Sequence, residues 1–148
     1  MSAPRDLELV PIGDASDVAA LNAALRAAGL PEANADRVDL FKFVHPSREV
    51  AGYAGLEGEA PDILLRSFIV RDGERGAGLG AAMLASVLAE VRSRSATRVW
   101  LLTTTAAAFF SKNGFQKIER AAAPATISKT EEFASVCPST AICMWKDL

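Results

Sequence analysis

Residues 62–91 carry the pattern that most narrows the fold: an apolar run, a glycine-rich turn, then helical spacing. Ile63 to Val70 is apolar and rich in strand-forming residues apart from Arg66 and Ser67, which suits a central strand. Gly76, Gly78 and Gly80 alternate and make a poor helix interior. They do let backbone N–H groups approach an anion closely. From Leu79 the apolar residues fall at 79, 83, 84, 87, 88 and 91, the stripe of a helix. A helix N-terminus fed by a glycine turn is a phosphate site, because unpaired N–H groups and the helix dipole both favour negative charge. Arg75 adds a fixed positive charge at its mouth.

Three kinds of glycine loop compete for this stretch. A P-loop ends in Gly-Lys-Ser/Thr, and Gly80-Ala81-Ala82 lacks it. A dinucleotide fingerprint is met literally by Gly76, Gly78 and Ala81 but fails on context. The turn does not directly follow the strand, and the next strand, Arg98 to Thr105, offers no acid for a ribose. The third pattern, Arg/Gln-x-x-Gly-x-Gly/Ala, is met by Arg75-Gly76-Ala77-Gly78-Leu79-Gly80. Placed after an apolar strand and a short polar link, it resembles the pyrophosphate loop of the GNAT superfamily of acetyl-CoA-dependent N-acetyltransferases. A second stretch, Ala106 to Phe115, is similar to that superfamily's helix ending in Gly-Phe, which packs beside the pantetheine arm. Gly114 fits the residue just past a helix end, and Phe115 opens a strand. Many members carry a Tyr general acid four residues before that Gly; here Phe110 stands there and cannot donate a proton.

With 148 residues the chain has the length of one domain, expected over residues 1–148. Half the residues are apolar, the net charge is −2 and the pI is about 5.4, so nothing argues for nucleic acid or an anionic membrane. Cys137 and Cys143 make neither a metal spacing nor a disulfide framework, and no metal is expected. Reduced thiols and the lack of a signal-peptide pattern from Met1 to Asp14 suggest a cytoplasmic protein. No apolar run reaches the roughly 20 residues of a membrane span. His45, followed by Pro46, is expected in a turn rather than as a base. Small folds of this kind commonly dimerise; a homodimer is left open, since no patch marks an interface.

In order, the chain reads as a strand (Leu7 to Ile12) and a helix capped by Asp14 with Val18, Leu21, Leu25 and Ala28 as its apolar stripe. Two antiparallel strands follow, Leu40 to His45 and Glu49 to Leu56, then the central strand and its helix. Next come a buried strand through Val99 to Leu102, the Ala106 helix, and a strand from Phe115 to Arg120. A helix from Thr126 to Ser135 and a strand from Thr140 to Trp145 close it. This is an α+β fold, expected as a mixed, mostly antiparallel sheet of about six or seven strands flanked by helices.

Arg66 is the most informative side chain. A guanidinium in the middle of an apolar strand needs an anion, since burying it unpaired costs several kcal/mol. One reading is a salt bridge to Glu57 or Glu59; the other is an acidic group of the acceptor, held in bidentate fashion. Regular alternation puts Arg66 on one face with Leu64, Phe68 and Val70, and Ser67 on the other unless a bulge intervenes. A bulge there would expose backbone N–H groups to a thioester carbonyl. Thr103, Thr104 and Thr105 lie at the carboxyl end of a strand, where open sheets bind ligands. Thr104 or Thr105 is expected to cap the next helix, with Thr103 toward a ligand. Phe109 and Phe110 read as core by spacing, and Glu131-Glu132 as a solvated helix face.

Three longer stretches, Leu64 to Ser67, Val99 to Phe110 and Thr130 to Ser139, resemble the arsinothricin N-acetyltransferases of bacterial arsenic-resistance loci. The likeness runs from about Leu64 to Met144 and is weaker over the first sixty residues. It implies acetylation of the α-amine of an anionic, glutamate-like amino acid bearing an arsinic or phosphinic group, such as phosphinothricin. The resemblance places the acceptor on Arg66, Ser67 and Thr103. It places acetyl-CoA on Phe68, Ile69, Val70, Arg75, Gly76, Ala77, Gly78, Leu79, Gly80, Ala81, Phe109 and Lys112. The backbone at Phe68 and Ile69 would stabilise the oxyanion during direct attack by the amine. No side chain stands out as a base, so a water relay is the default, and a route through Cys137 lacks an evident activating charge. Other classes stay open: an acetyltransferase for a polyamine or a protein N-terminus, a non-catalytic acetyl-CoA sensor or toxin–antitoxin partner, and a nicotinamide enzyme.

Overall fold

The apolar periods of the sequence become seven strands and four helices in the computed structural model, which describes residues 7–71, 78–130, 132–133 and 140–148. The elements run β1 (Glu8–Ile12), α1 (Ala15–Ala27), β2 (Asp39–Val44), β3 (Val50–Glu57), β4 (Asp62–Val70), α2 (Leu79–Ser93), β5 (Arg98–Thr103), α3 (Ala107–Lys112), β6 (Gln116–Ile118), α4 (Ala125–Ser128) and β7 (Ile142–Asp147). The strands form one sheet in the order β1-β2-β3-β4-β5-β7-β6. β4 and β5 run parallel, while β1–β2, β2–β3, β5–β7 and β6–β7 are antiparallel. The α+β class and the mixed, mostly antiparallel sheet are those expected. By its internal contacts the chain divides into two compact units, residues 1–56 with 67–90 and residues 57–66 with 91–148. It passes from one to the other three times: between Leu56 and Glu57, inside β4 between Arg66 and Ser67, and inside α2 between Glu90 and Val91.

In the first unit, Asp14 caps α1 as its residue type predicts, its carboxylate accepting from the Asp17 N–H at 2.7 Å. Leu21 and Leu25 are fully buried and pack with Ala33, Val38, Leu40, Tyr53 and Ile69, with Val18 partly buried beside them. Ala28, expected in the same stripe, is exposed, because the helix already ends at Ala27 and Ala28 is its C-cap. In α2, whose residues from Val91 on belong to the second unit, every apolar residue predicted to face inward does so: Leu79, Met83, Leu84, Val87, Leu88 and Val91 are all buried. Met83 comes so near β3 that a Cβ on Gly52 would lie 2.6 Å from its Cε and would run into the Ile69 carbonyl oxygen. Only glycine permits that approach.

In the second unit, the β4–β5 ladder registers Asp62↔Arg98, Ile63↔Val99 and Leu64↔Trp100. Beyond Leu64 no β5 partner of β4 is registered among the described residues. β5 continues to Thr103 against β7 instead. Leu64, Trp100, Leu102, Ile127, Phe133, Ala141 and Cys143 form the apolar cluster here. Trp100 stacks on Trp145 with ring centroids 6.0 Å apart. Of the helix expected over Thr126 to Ser135, α4 covers Ala125–Ser128 and is interrupted at Lys129 and Thr130, residues 132–133 are again helical, of the π type, and 131, 134 and 135 lie outside the described residues. The Thr130 hydroxyl donates to the Ile127 carbonyl at 2.6 Å, a local bond that competes with helix continuation. β6 is likewise shorter than expected, giving way to a 3₁₀ turn at Arg120–Ala122.

Candidate active site

Each site element follows from a local sequence cause. In the first unit, α2 begins where a left-handed residue is needed: Gly78 has φ of 71° and its carbonyl accepts the Ala82 N–H at 3.1 Å, closing the first turn. The N–H groups of that first turn have no intrahelical partner, which makes the end of α2 an anion site by geometry. Leu79 anchors it in the core, Gly80 is half-buried and Ala81 is exposed. The other expected members of this loop, Arg75, Gly76 and Ala77, lie outside the described residues.

β4 departs from a regular strand at Ser67, whose φ is 57°. A non-glycine residue in this region is uncommon and marks strain or function. Strict alternation does not carry through a left-handed residue, so Phe68 and Val70 need not continue the face of Leu64 and Arg66. Phe68 and Val70 are half-buried, and Phe68 meets Phe43 edge-on at 6.4 Å. Ile69 is buried in the α1 cluster. The Ser67 hydroxyl is buried and has no hydrogen-bond partner among the described residues. Such a group costs about 1–3 kcal/mol in a closed fold, which is tolerable where a ligand supplies the partner.

In the second unit, Arg66 is 3% exposed and its charge is met twice. Nη1 donates to Glu57 Oε1 at 3.1 Å, and Nε lies 3.2 Å from Glu132 Oε2 as an ion pair without hydrogen-bond geometry at that nitrogen. Of the two acids the sequence offered for this pairing, Glu57 is the one observed. Glu132 corrects the expectation of a solvated face: it is 5% exposed and turned inward to Arg66. Glu131, Cys137 and the rest of 134–139 lie outside the described residues. No local sequence signal marked Glu132, which lies 66 residues from Arg66 in the chain.

The threonines are also reassigned. The Thr103 hydroxyl accepts the Ala106 N–H at 3.0 Å, so Thr103, not Thr104 or Thr105, closes the turn into α3; the latter two are exposed. Thr103 remains half-buried, with its hydroxyl proton left to donate. α3 ends as predicted at Gly114, with φ of 92°. The Gly114 N–H reaches the Ser111 carbonyl at 3.2 Å and the Phe115 N–H the Phe110 carbonyl at 3.0 Å, the paired bonds of a Schellman end. Phe110 is buried between the rings of Phe109 and Phe115, 5.1 and 5.4 Å away. It is core, and no phenol replaces it there. Phe109 is half-buried and Lys112 exposed.

Two features were not legible. Asp62, 3% exposed, accepts from Trp100 Nε1 at 2.8 Å and from Arg98 Nε and Nη2 at 2.8 and 3.1 Å. These bonds raise the Arg98 guanidinium above its ordinary value. Tyr53 is buried beside Arg71, Asp17 and Lys42, and burial raises its phenol above the usual value. The described cysteine, Cys143, is pushed up to about 11 by burial, with Arg120 opposing, so it is no nucleophile near neutral pH. His45 lies in the β2–β3 turn. Among the described residues, no group of three or more His, Cys, Asp or Glu could hold a metal, and no helix is long and apolar enough to cross a membrane.

Comparison with known proteins bears on the fold. Comparison with curated proteins gives no match. Among solved structures, N-acetylglutamate synthase from Neisseria gonorrhoeae, complexed with coenzyme A and N-acetyl-glutamate, superposes with a TM-score of 0.77 at 19% identity. That match covers 96% of this chain but 35% of the synthase, so the chain spans about a third of that enzyme. Rv2747 from Mycobacterium tuberculosis, in complex with CoA and NLQ, matches at TM-score 0.73 and 21% identity, over 92% of this chain and 96% of its own. An acetyltransferase of the GNAT family from Staphylococcus aureus Mu50 matches at 0.71 and 14%, over 96% and 99%. At these identities the likeness is one of fold. The acetyltransferase (GNAT) domain model matches residues 39–117, more than half of the chain. The chain therefore belongs to the acetyltransferase (GNAT) family.

Proposed function

We propose that this enzyme acetylates the α-amine of a small glutamate-like amino acid carrying a second acidic group, arsinothricin and phosphinothricin being the model acceptors. The observation that carries this reading is Arg66, a guanidinium buried in mid-strand and one residue from the left-handed Ser67. In this reading Arg66 takes the acceptor's acidic group, with Ser67 and Thr103 supplying hydroxyl contacts. The Ser67 hydroxyl, buried without a partner among the described residues, is suited to that part. The N-acetyl-glutamate bound by the similar Neisseria enzyme is a molecule of the same class. A free, buried thiol at Cys143 suits the reducing cytoplasm.

The acetyl-CoA diphosphate is assigned to Arg75 through Ala81, and the thioester to the backbone at Phe68, Ile69 and Val70, with Phe109 and Lys112 alongside. The acceptor nitrogen, as the free amine, attacks the thioester carbonyl carbon. The C–N bond forms, the oxyanion is met by backbone N–H groups, and the C–S bond then breaks. The amine's proton goes to water, and the leaving thiolate is protonated from solvent, since Phe110 holds no proton to give.

A thiol-release assay with acetyl-CoA tests the acceptor: arsinothricin, phosphinothricin, the proteinogenic amino acids and spermidine are compared. Acidic amino acids should lead; faster turnover of spermidine would reject the assignment. Gly78→Val tests the coenzyme site. A branched side chain at φ of 71° is strained and blocks backbone approach, so acetyl-CoA KM should rise more than tenfold while the fold loses about 1–2 kcal/mol. Unchanged acetyl-CoA affinity would count against the loop.

A further inference from the structure

Among the described residues, the Arg66 guanidinium faces two carboxylates, and the three side chains are 1%, 9% and 7% exposed for Arg66, Glu57 and Glu132. The two acids reach it differently. Glu57 is the last residue of β3 and comes in on a rigid ladder. Glu132 comes from the connection between α4 and β7 and is followed by Phe133, which Arg120 holds by its carbonyl at 3.0 Å and by its ring at 5.6 Å. Glu57 alone would neutralise the guanidinium. A second buried carboxylate adds desolvation cost that this pairing does not require. It is explained if the second carboxylate stands where another anion is meant to stand.

We propose that Glu132 is a specificity-determining residue: in the unloaded enzyme it occupies the Nε edge of Arg66 that the acceptor's acidic group takes during catalysis. The proposal rests on the acceptor reading above. It also explains how a side chain 1% exposed can be an anion site. Exchange of one anion for another keeps Arg66 paired throughout. A carboxylate, phosphinate or arsinate brings an oxygen suited to the vacated edge. A neutral or purely cationic amine brings nothing that displaces Glu132. Acceptors with an acidic group are thereby selected, and their apparent affinity is lowered by the fraction of enzyme in which Glu132 still holds the edge.

The test is Glu132→Gln, which keeps the shape, removes the charge and leaves the Arg66–Glu57 ion pair in place. A thermal melt checks that it folds. Glu132→Asp, which keeps the charge but shortens its reach, is the second variant and decides the matter if the first does not fold. With phosphinothricin as acceptor, KM should fall about tenfold in Glu132→Gln and by a smaller factor in Glu132→Asp. The kcat, and the KM for acetyl-CoA, should stay at the wild-type value, and KM for spermidine should not fall. An unchanged or raised phosphinothricin KM would overturn the proposal, as would a loss of kcat with both acceptors, which would make Glu132 a proton acceptor. The two readings fail separately. A wild-type preference for spermidine removes the acceptor assignment and this proposal together; a wild-type preference for acidic amino acids with no KM change in the variants removes only the role of Glu132.

Discussion

Asp62 and Arg66 sit four residues apart on β4, both 3% exposed, and resolve the problem of a buried charge in opposite ways. Asp62 is one acid among donors: Trp100 and Arg98 on the neighbouring β5 aim three N–H bonds at its carboxylate. Its contacts fix the parallel ladder at Asp62↔Arg98, where the strands are still paired. Arg66 is one cation between acids, past the last registered β4–β5 pair. No mobile anion could replace Trp100 Nε1 in the first group, because the group needs donors. Any anion can replace a carboxylate in the second. The sign of the surrounding partners therefore separates a staple from an exchangeable site, although burial alone would class them together.

That contrast can be broken by mutation. The largest effect is expected for Arg66→Ala, which strands two buried carboxylates and should cost about 3–5 kcal/mol in urea unfolding. The loss should be smaller when Glu132→Gln is added, and acceptor KM should rise in both. Asp62→Ala should cost about 2–3 kcal/mol, since Trp100 Nε1 is left without its acceptor. Activity per folded molecule should stay at the wild-type level, and a fall in kcat/KM there would erase the distinction drawn. Trp100→Phe should cost about 1 kcal/mol through the same hydrogen bond and again spare activity. The smallest effect concerns Cys143, a buried ionisable group of the same unit that is kept neutral instead of paired. Its folded value of about 11 exceeds its ordinary 9.0, so the unfolded chain ionises first. Its stabilising contribution is complete below pH 9 and is lost as pH rises through 11. Urea midpoints for wild type and Cys143→Ala should therefore converge or cross with rising pH across that window. Tyr53, raised in the same direction, is common to both proteins and cancels.

What could be read beforehand was what repeats or caps locally. The α2 stripe follows a strict helical period, and all six of its positions are buried. Asp14 and Gly114 declare helix ends through residue chemistry that acts within a few positions. Arg66 announced the need for an anion, and Glu57, nine residues away, was within reach of that reasoning. Glu132 was not, because its partner lies on a distant strand and an acidic pair in a helical pattern reads as solvated. The same limit hid Asp62 and Trp100. The break at Lys129 and Thr130 in the helix expected over Thr126 to Ser135 was not foreseen, because the Thr130 hydroxyl competes for a helix carbonyl, which periodicity does not register. Thr103 was given to a ligand and Thr104 or Thr105 to the cap, yet the hydroxyl that closes the turn belongs to Thr103.

Ser67 has a consequence for durability. Glycine would adopt φ of 57° without steric penalty, whereas serine bears a strain of about 1–2 kcal/mol. Ser67→Gly should therefore make the protein harder to melt. Screening for heat resistance alone would favour that exchange, and turnover is what such a screen would be expected to sacrifice first.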